Sequence, residues 1–372
     1  MRRILLVGGG TGGHIFPLIA VAQAIQEFAR QNSIEIDLRV LGEGRFIRQA
    51  CVENNLKFKS VMGAKWRRYF SVLNFIDLLK IPVAFIQSLW HIYWYMPDAV
   101  FTKGSYASII PALSARLYFI PVFTHESDSV PGRANVIIAS WAKKVFISFK
   151  SAGVFFKREK TILTGNPSRR ELFTADKSDS LRFFNFDGSK KIVFVTGGSQ
   201  GAGVINSIIL EALPSLLQRY HIIHQCGDAH IKNVQEYISK LGKENPEINS
   251  AIQNGYRPLP FLPTPDLARA YAASDIVISR AGAANIFEIA NMGKPAVIIP
   301  ISESNGNHQV VNALEFSKFG AVVIEESNLT PNILISQLGR LLENAQEVGQ
   351  KINEFATPDA GDRIASVLCS QS

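Results

Sequence analysis

Ile4-Leu5-Leu6-Val7-Gly8-Gly9-Gly10-Thr11-Gly12-Gly13-His14 opens this chain with an apolar run, a cluster of glycines and what reads as the start of a helix. A buried parallel strand that feeds a glycine turn and a helix N-terminus presents backbone N–H groups to phosphate. The device returns near the middle of the chain, where Ile192-Val193-Phe194-Val195 leads into Thr196-Gly197-Gly198-Ser199-Gln200-Gly201. Two such loops, roughly one domain length apart, predict an α/β protein of two Rossmann-like domains facing a shared cleft. That arrangement suits an enzyme that holds a nucleotide-linked donor in one half and an acceptor in the other.

Outward from these loops, strand-like and helix-like stretches alternate. Strands are expected at 3–7, 36–41, 99–102, 120–124 and 144–147, with helices at 15–30, 45–54, 107–117 and 132–141. The second half repeats the pattern, with strands at 192–196, 221–225, 275–279, 296–299 and 321–324 and helices at 202–218, 231–241, 284–292, 308–318 and 331–344. Such alternation favours parallel sheets covered by helices on both faces. Gly165-Asn166-Pro167 is a turn signal at a plausible hinge, and the polar stretch 174–191 reads as a surface segment entering the second domain.

The 372 residues suffice for two full cores, and 47% of them are apolar. Residues 1–170 carry 23 Lys and Arg against 10 Asp and Glu, whereas residues 171–372 carry 16 against 21. The basic half points to an anionic partner on that side: nucleic acid, anionic lipid or a pyrophosphate. A basic solvated surface accounts for the same charge. Cys51, Cys226 and Cys369 show no metal-ligand spacing and no disulfide framework, as expected of a reducing compartment. The apolar run after Met1-Arg2-Arg3 is short for a signal peptide and reads as a first strand.

Segment 64–96 stands apart. Lys65-Trp66-Arg67-Arg68 precedes a strongly apolar stretch that includes Trp90 and Trp94. Asp77, Lys80, Pro82, Gln87 and His91 interrupt it, which argues against a spanning helix. Aromatic rings beside Lys and Arg suit the interface of an anionic membrane. A pair of core helices covering the sheet fits the periodicity equally well.

Gly8 to Gly13 also satisfies the dinucleotide pattern G-x-G-x-x-G. A dinucleotide site wants an acidic residue at the end of the second strand, and Glu43 comes later than the usual spacing. That reading leaves His14 and the second loop unexplained. His14 directly follows the glycines, and a helix N-terminus there favours the neutral imidazole a general base needs. A capping or packing histidine is the structural alternative. Ser279-Arg280-Ala281-Gly282-Ala283-Ala284-Asn285-Ile286-Phe287-Glu288 again ends a strand, turns on small residues and starts a helix. Its N-terminal amides can hold a phosphate, and Glu288, one turn in, can accept two hydrogen bonds from ribose hydroxyls. Asn305-Gly306-Asn307-His308-Gln309 offers side chains for sugar hydroxyls, or is an ordinary loop and helix start.

Gly9-Gly10-Thr11-Gly12-Gly13-His14, His125-Glu126, Gly165-Asn166-Pro167, Gly197-Gly198-Ser199-Gln200-Gly201 and Ser279-Arg280-Ala281-Gly282 occur in the order seen in the MurG family. The resemblance covers nearly the whole chain. It implies a GT-B glycosyltransferase fold, with residues 1–167 binding a lipid-linked acceptor and the membrane and residues 168–354 binding UDP-GlcNAc. The last helix, about 355–372, is expected to pack back on the N-terminal domain. By the same resemblance Thr11, Gly12 and Gly13 approach the donor phosphates and sugar, Arg169 the nucleotide, and Ser199 and Gln200 the diphosphate. Leu262 contacts uracil, Ala283, Ala284, Asn285, Ile286, Phe287 and Glu288 hold the α-phosphate and ribose, and Gln309 the sugar hydroxyls. Asp128 joins the donor set, at a position where many members carry Asn.

The expected activity is inverting transfer of N-acetylglucosamine to the muramyl 4-hydroxyl of undecaprenyl-linked lipid I, giving lipid II for peptidoglycan synthesis. His14 is the expected base, with His125 and Glu126 as second candidates. Helix N-termini and backbone amides would carry the charge on departing UDP. The loops have no Asp-x-Asp pair, so no metal is expected; UDP-GlcNAc is a substrate, and the resemblance implies no other cofactor and no nucleic-acid partner. The expected location is peripheral, on the cytoplasmic face of the cell membrane, through Lys65, Trp66, Arg67, Arg68, Trp90 and Trp94. Transfer to another lipid acceptor, a UDP-sugar epimerase, an NAD(P) oxidoreductase and a silent membrane-bound scaffold are the alternatives.

Overall fold

The structure, a computed structural model, describes residues 1–10, 12–63, 72–302 and 307–370, with backbone alone at 72–79. The chain divides into two compact units, Met1–Arg169 with Thr357–Ser372, and Arg170–Ala356.

In the first unit the order is β1 (Arg2–Gly9), α1 (Gly12–Gln31), β2 (Ile36–Glu43), α2 (Arg45–Glu53), β3 (Lys57–Ser60), α3 (Val72–Tyr95) and β4 (Ala99–Thr102). It continues with α4 (Tyr106–Leu117), β5 (Val122–Glu126), α5 (Arg133–Trp141), β6 (Lys144–Ile147) and β7 (Thr161–Leu163). The strands form one parallel sheet, β3-β2-β1-β4-β5-β6-β7. Successive side chains of a strand face opposite sides of the sheet, so an unbroken apolar run serves two cores. Ile4 and Leu6 join Leu38, Val40 and Phe101 beneath α1, while Leu5 and Val7 join Leu41, Val100 and Val122 on the α4 side.

The second unit runs α6 (Lys177–Phe183), β8 (Lys191–Thr196), α7 (Gly203–Arg219), β9 (Tyr220–Gln225), α8 (Ile231–Glu244), α9 (Pro246–Gly255) and β10 (Tyr256–Leu259). There follow α10 (Thr264–Ala273), β11 (Ile276–Ser279), α11 (Ala283–Asn291), β12 (Ala296–Ile298), α12 (His308–Ser317), β13 (Val322–Val323), α13 (Pro331–Glu343) and α14 (Ala345–Asn353). Its sheet, also parallel, has the order β10-β9-β8-β11-β12-β13. A final helix, α15 (Ala360–Ser370), belongs to the first unit. Ile364, Ala365, Leu368 and Cys369 enter the α1 core, and Arg2 Nη1 donates to the Cys369 carbonyl at 2.5 Å.

Three strands were not expected from the sequence: β3, β7 and β10. Each is the edge of its sheet. An edge strand pairs on one side only, so it tolerates the polar residues of Lys57-Phe58-Lys59-Ser60 and the proline of Tyr256-Arg257-Pro258-Leu259. Segment 64–96 also corrects an expectation. In place of a pair of core helices, the described part is one helix, α3, with Pro82 inside it. One stripe, Ala84, Ser88, Ile92 and Tyr95, is buried, and the Tyr95 hydroxyl donates to the Asp37 carbonyl at 2.6 Å. Trp90 and Trp94, 62% and 67% exposed, lie on the other side. Among the described residues no helix is long and apolar enough to cross a membrane. The three cysteines are buried thiols.

Candidate active site

In each sheet the chain winds outward on one side of the first strand and then returns to its other side. The reversal lies between β1 and β4 in the first unit and between β8 and β11 in the second. Loops at the carboxyl ends of strands flanking such a reversal diverge and leave a crevice, the usual ligand position in open parallel sheets. The glycine loops after β1 and β8 and the small-residue turn after β11 all occupy these ends.

In the first unit α1 begins at Gly12, which makes His14 its third residue, half-buried in the first turn. A Cβ on Gly10 would lie 3.7 Å from His14 Cδ2, so the glycine loop runs alongside the imidazole. Thr11 lies outside the described residues; Gly12 is buried and Gly13 exposed.

Beside this loop lies a charged cluster that sequence reasoning found only in part. Lys103, one residue beyond β4 and 1% exposed, donates to His125 Nδ1 at 2.6 Å, Ser127 Oγ at 2.5 Å and Asn166 Oδ1 at 3.5 Å. A carbonyl only accepts and an ammonium only donates, so His125 carries its proton on Nε2, which faces the Gly165 carbonyl at 3.0 Å. Burial, and then the Lys103 charge, hold the imidazole pKa well below its ordinary value. With both nitrogens committed, His125 has no atom left for a substrate hydroxyl. Glu126, 3% exposed, accepts from the backbone N–H of Asp128 at 2.9 Å, from that of Gly132 at 3.0 Å and from Asn135 Nδ2 at 2.8 Å. Burial, with the Asp128 charge second, pushes its pKa up to about 7 against these bonds. Burial likewise pushes the Lys103 pKa down to about 7, opposed by the charges of Glu126 and Asp128. Glu126 thus shapes the loop 127–132, in which Asp128 is half-buried. The one sequence signal for Lys103 was a lone lysine between a buried strand and a glycine.

In the second unit the loop after β8 turns through Gly198 and Gly201, both at positive φ. A Cβ on Gly201 would fall 2.1 Å from the Cys226 carbonyl, so only glycine lets this loop lie against the end of β9. Thr196 Oγ1 accepts from the Gly198 N–H and donates to Gln225 Oε1, both at 3.1 Å. Ser199 is half-buried and Gln200 exposed on this frame. After β11, Asn285 Nδ2 donates to Ser279 Oγ at 2.8 Å and Asn312 Nδ2 to the Ala281 carbonyl at 3.1 Å, fixing the turn that opens α11. Ala283 to Asn285 form its first turn, Ile286 and Phe287 anchor it in the core, and Glu288, 6% exposed, accepts from the Tyr271 hydroxyl at 3.2 Å.

The remaining expected residues lie on other elements. Leu262 is buried between β10 and α10, and Gln309, second residue of α12, accepts from the Ile301 N–H at 3.2 Å. Arg169 closes the first unit, 5% exposed, with its guanidinium 3.9 Å over the Phe16 ring of α1. Lys65, Trp66, Arg67 and Arg68 lie outside the described residues, as do Asn305 and Gly306. No group of His, Cys, Asp and Glu among the described residues could hold a metal ion.

Two doubly wound parallel units, each with a glycine loop at its reversal point, make up the GT-B fold, and the family models over both units give its class, a glycosyltransferase. Residues 4–147 match the glycosyltransferase family 28 N-terminal domain and residues 192–364 the family 28 C-terminal domain. The UDP-N-acetylglucosamine--N-acetylmuramyl-(pentapeptide) pyrophosphoryl-undecaprenol N-acetylglucosamine transferase of Legionella pneumophila (strain Lens) is 35% identical over 374 residues, covering 99% of this chain and 97% of the relative. The Treponema denticola protein of the same name is 33% identical over 386 residues, covering 99% and 96%. The crystal structure of Acinetobacter baumannii MurG shares the fold, with a TM-score of 0.72 at 24% identity over all of both chains. The chain belongs to the MurG family.

Proposed function

We propose that this chain transfers N-acetylglucosamine from UDP-GlcNAc to the muramyl 4-hydroxyl of undecaprenyl-linked lipid I, with inversion at the sugar, releasing UDP and lipid II. Membership of a family named for this transfer supports the reading over nearly the full length. Its chemistry is carried by the pairing of loop types: phosphate-suited amides at the reversal point of the second sheet, and a histidine at the helix N-terminus of the first.

In this reading the second unit takes the donor. The amides of loop 197–202 and of the first turn of α11 face the diphosphate, and Glu288, held by Tyr271, takes the ribose hydroxyls. Leu262 and Gln309 serve the uracil and the sugar. The first unit takes the acceptor. His14 removes the 4-hydroxyl proton as the O4–C1 bond forms and the bond from C1 to the diphosphate oxygen breaks. The negative charge that develops on UDP meets fixed backbone dipoles. Glu126 and His125 support the acceptor-side loops.

The same reading places the protein peripherally on the cytoplasmic face of an anionic membrane. The exposed rings of Trp90 and Trp94, 5.6 Å apart edge to face, support it, as does the basic balance of residues 1–170. The deciding experiment is UDP release assayed with and without lipid I. Release in step with lipid II formation, and only with lipid I present, is the expected result. Release without acceptor, or epimerised UDP-sugar as product, would overturn the reading.

A further inference from the structure

We propose that Lys103 is a positioning residue of the transfer reaction: by donating to His125, Ser127 and Asn166 it ties the loops after β4, β5 and β7 into one arrangement that acceptor turnover requires. The inference rests on the reading above, in which the first unit binds the lipid-linked sugar.

Three observations carry it. The first is the company the ammonium keeps. All three partners are neutral, and among the described residues Lys103 makes no ion pair. A fully buried cation without a carboxylate in contact costs stability relative to an apolar side chain of the same shape. The second is Asn166, 1% exposed. Its Oδ1 accepts from Lys103 and from Ser127 Oγ at 3.1 Å, and a lysine can face only the oxygen of an amide. Ser127 Oγ, itself held by Lys103, and the ammonium together fix which way this amide points, and Nδ2 is left buried with no acceptor among the described residues. An unmet donor is a second cost in the same cluster. The third is place. Lys103 follows β4 directly, beside the reversal point and next to the glycine loop that ends in His14.

Its backbone is fixed independently of the ammonium. Gly104 adopts φ +75°, and a Cβ there would fall 1.9 Å from Asn135 Oδ1. Asn135 Nδ2 in turn donates to the His125 carbonyl at 3.1 Å and to the Glu126 carboxylate. The fold thus holds the loop backbone through Gly104 and Asn135, and Lys103 adds a buried side chain whose donors reach the neighbouring loops. A buried group that costs stability, placed at a strand-end crevice, is a candidate for function.

The test is Lys103→Met in the full chain, which keeps the length of the side chain and removes its charge and donors. A thermal midpoint equal to or above wild type is expected, with UDP-GlcNAc affinity by calorimetry within about twofold and kcat/KM for lipid I lowered about tenfold or more. Turnover within about twofold of wild type would overturn the inference. So would a parallel loss of midpoint, donor affinity and turnover, which is what a purely structural lysine predicts. A readout on the wild-type protein does not depend on the variant folding. The ¹⁵N signals of His125 should show the neutral Nε2–H form throughout about pH 5 to 9. An imidazolium or an Nδ1–H form there would overturn the arrangement. Wild-type protein without lipid I-dependent UDP release would overturn the functional reading itself. Wild-type transfer matched by the Met variant would overturn this inference alone.

Discussion

The Tyr271 hydroxyl donates to Glu288 Oε2 at 3.2 Å, joining α10 to α11 inside the second unit. Tyr271 is itself fully buried with its ring edge-on to Phe194 of β8, so the carboxylate is oriented from the sheet outward. If Glu288 holds the donor ribose, Glu288→Ala should weaken UDP-GlcNAc binding by about 1–3 kcal/mol, the scale of lost hydrogen bonds to a charged group. Tyr271→Phe leaves the carboxylate in place but less well oriented and should cost about 1 kcal/mol. Calorimetry checks both, and unchanged affinity in Glu288→Ala would remove it from the donor site.

His14→Ala is expected to lower kcat by about 10²–10⁴-fold, the usual contribution of a general base, with UDP affinity nearly intact. A packing histidine predicts the reverse, a lower thermal midpoint with normal turnover per folded molecule. Both quantities should be measured on one preparation. A folded His14→Ala protein with wild-type turnover would end the assignment.

Trp90 and Trp94 project from α3 opposite its buried stripe. Replacing both with Ser should reduce pelleting with anionic vesicles while leaving the thermal midpoint close to wild type. Charge reversal at Arg67 and Arg68 should act through salt-sensitive attraction, at about 1 kcal/mol for each well-placed cation. Equal pelleting with neutral and anionic vesicles would exclude the electrostatic part.

The buried Glu126 and Lys103 make stability depend on pH in opposite senses. Glu126 has a pKa raised to about 7 from 4.5, so its contribution is fully present below about pH 4.5 and lost as pH rises to about 7. Lys103 has a pKa lowered to about 7 from 10.5, so its cost is fully present below about pH 7 and relieved as pH climbs toward 10.5. Their joint contribution has its minimum near neutrality. Denaturant titrations across pH should show Glu126→Gln flattening the acid limb and Lys103→Met the alkaline one. A limb unchanged in its own variant would refute that assignment.

The two sheets were legible because their signals are local. Ile4 to Val7 and Ile192 to Val195 are unbroken apolar runs, short and leading into glycines, as strands buried on both faces require. The glycines that follow announce turns by their own backbone freedom. The edge strands gave no such signal, since Lys57 to Ser60 and Tyr256 to Leu259 are specified by a neighbouring strand rather than by their own apolar content.

Sequence alone thus determined the architecture, the loops at the strand ends and, through the order of its motifs, the family. Tertiary structure decided what those loops do with their side chains. His125 reads as a candidate base beside a carboxylate until Lys103, 22 residues earlier, is seen to occupy its lone pair. Asn166, 63 residues from Lys103, closes the same network. Likewise the sequence shows tryptophans in an apolar stretch, but only packing against Ala84, Ser88, Ile92 and Tyr95 tells which side of α3 stays exposed. Periodicity and turn chemistry act over a few residues, whereas burial, protonation and hydrogen-bond partners depend on groups the fold brings together from far along the chain.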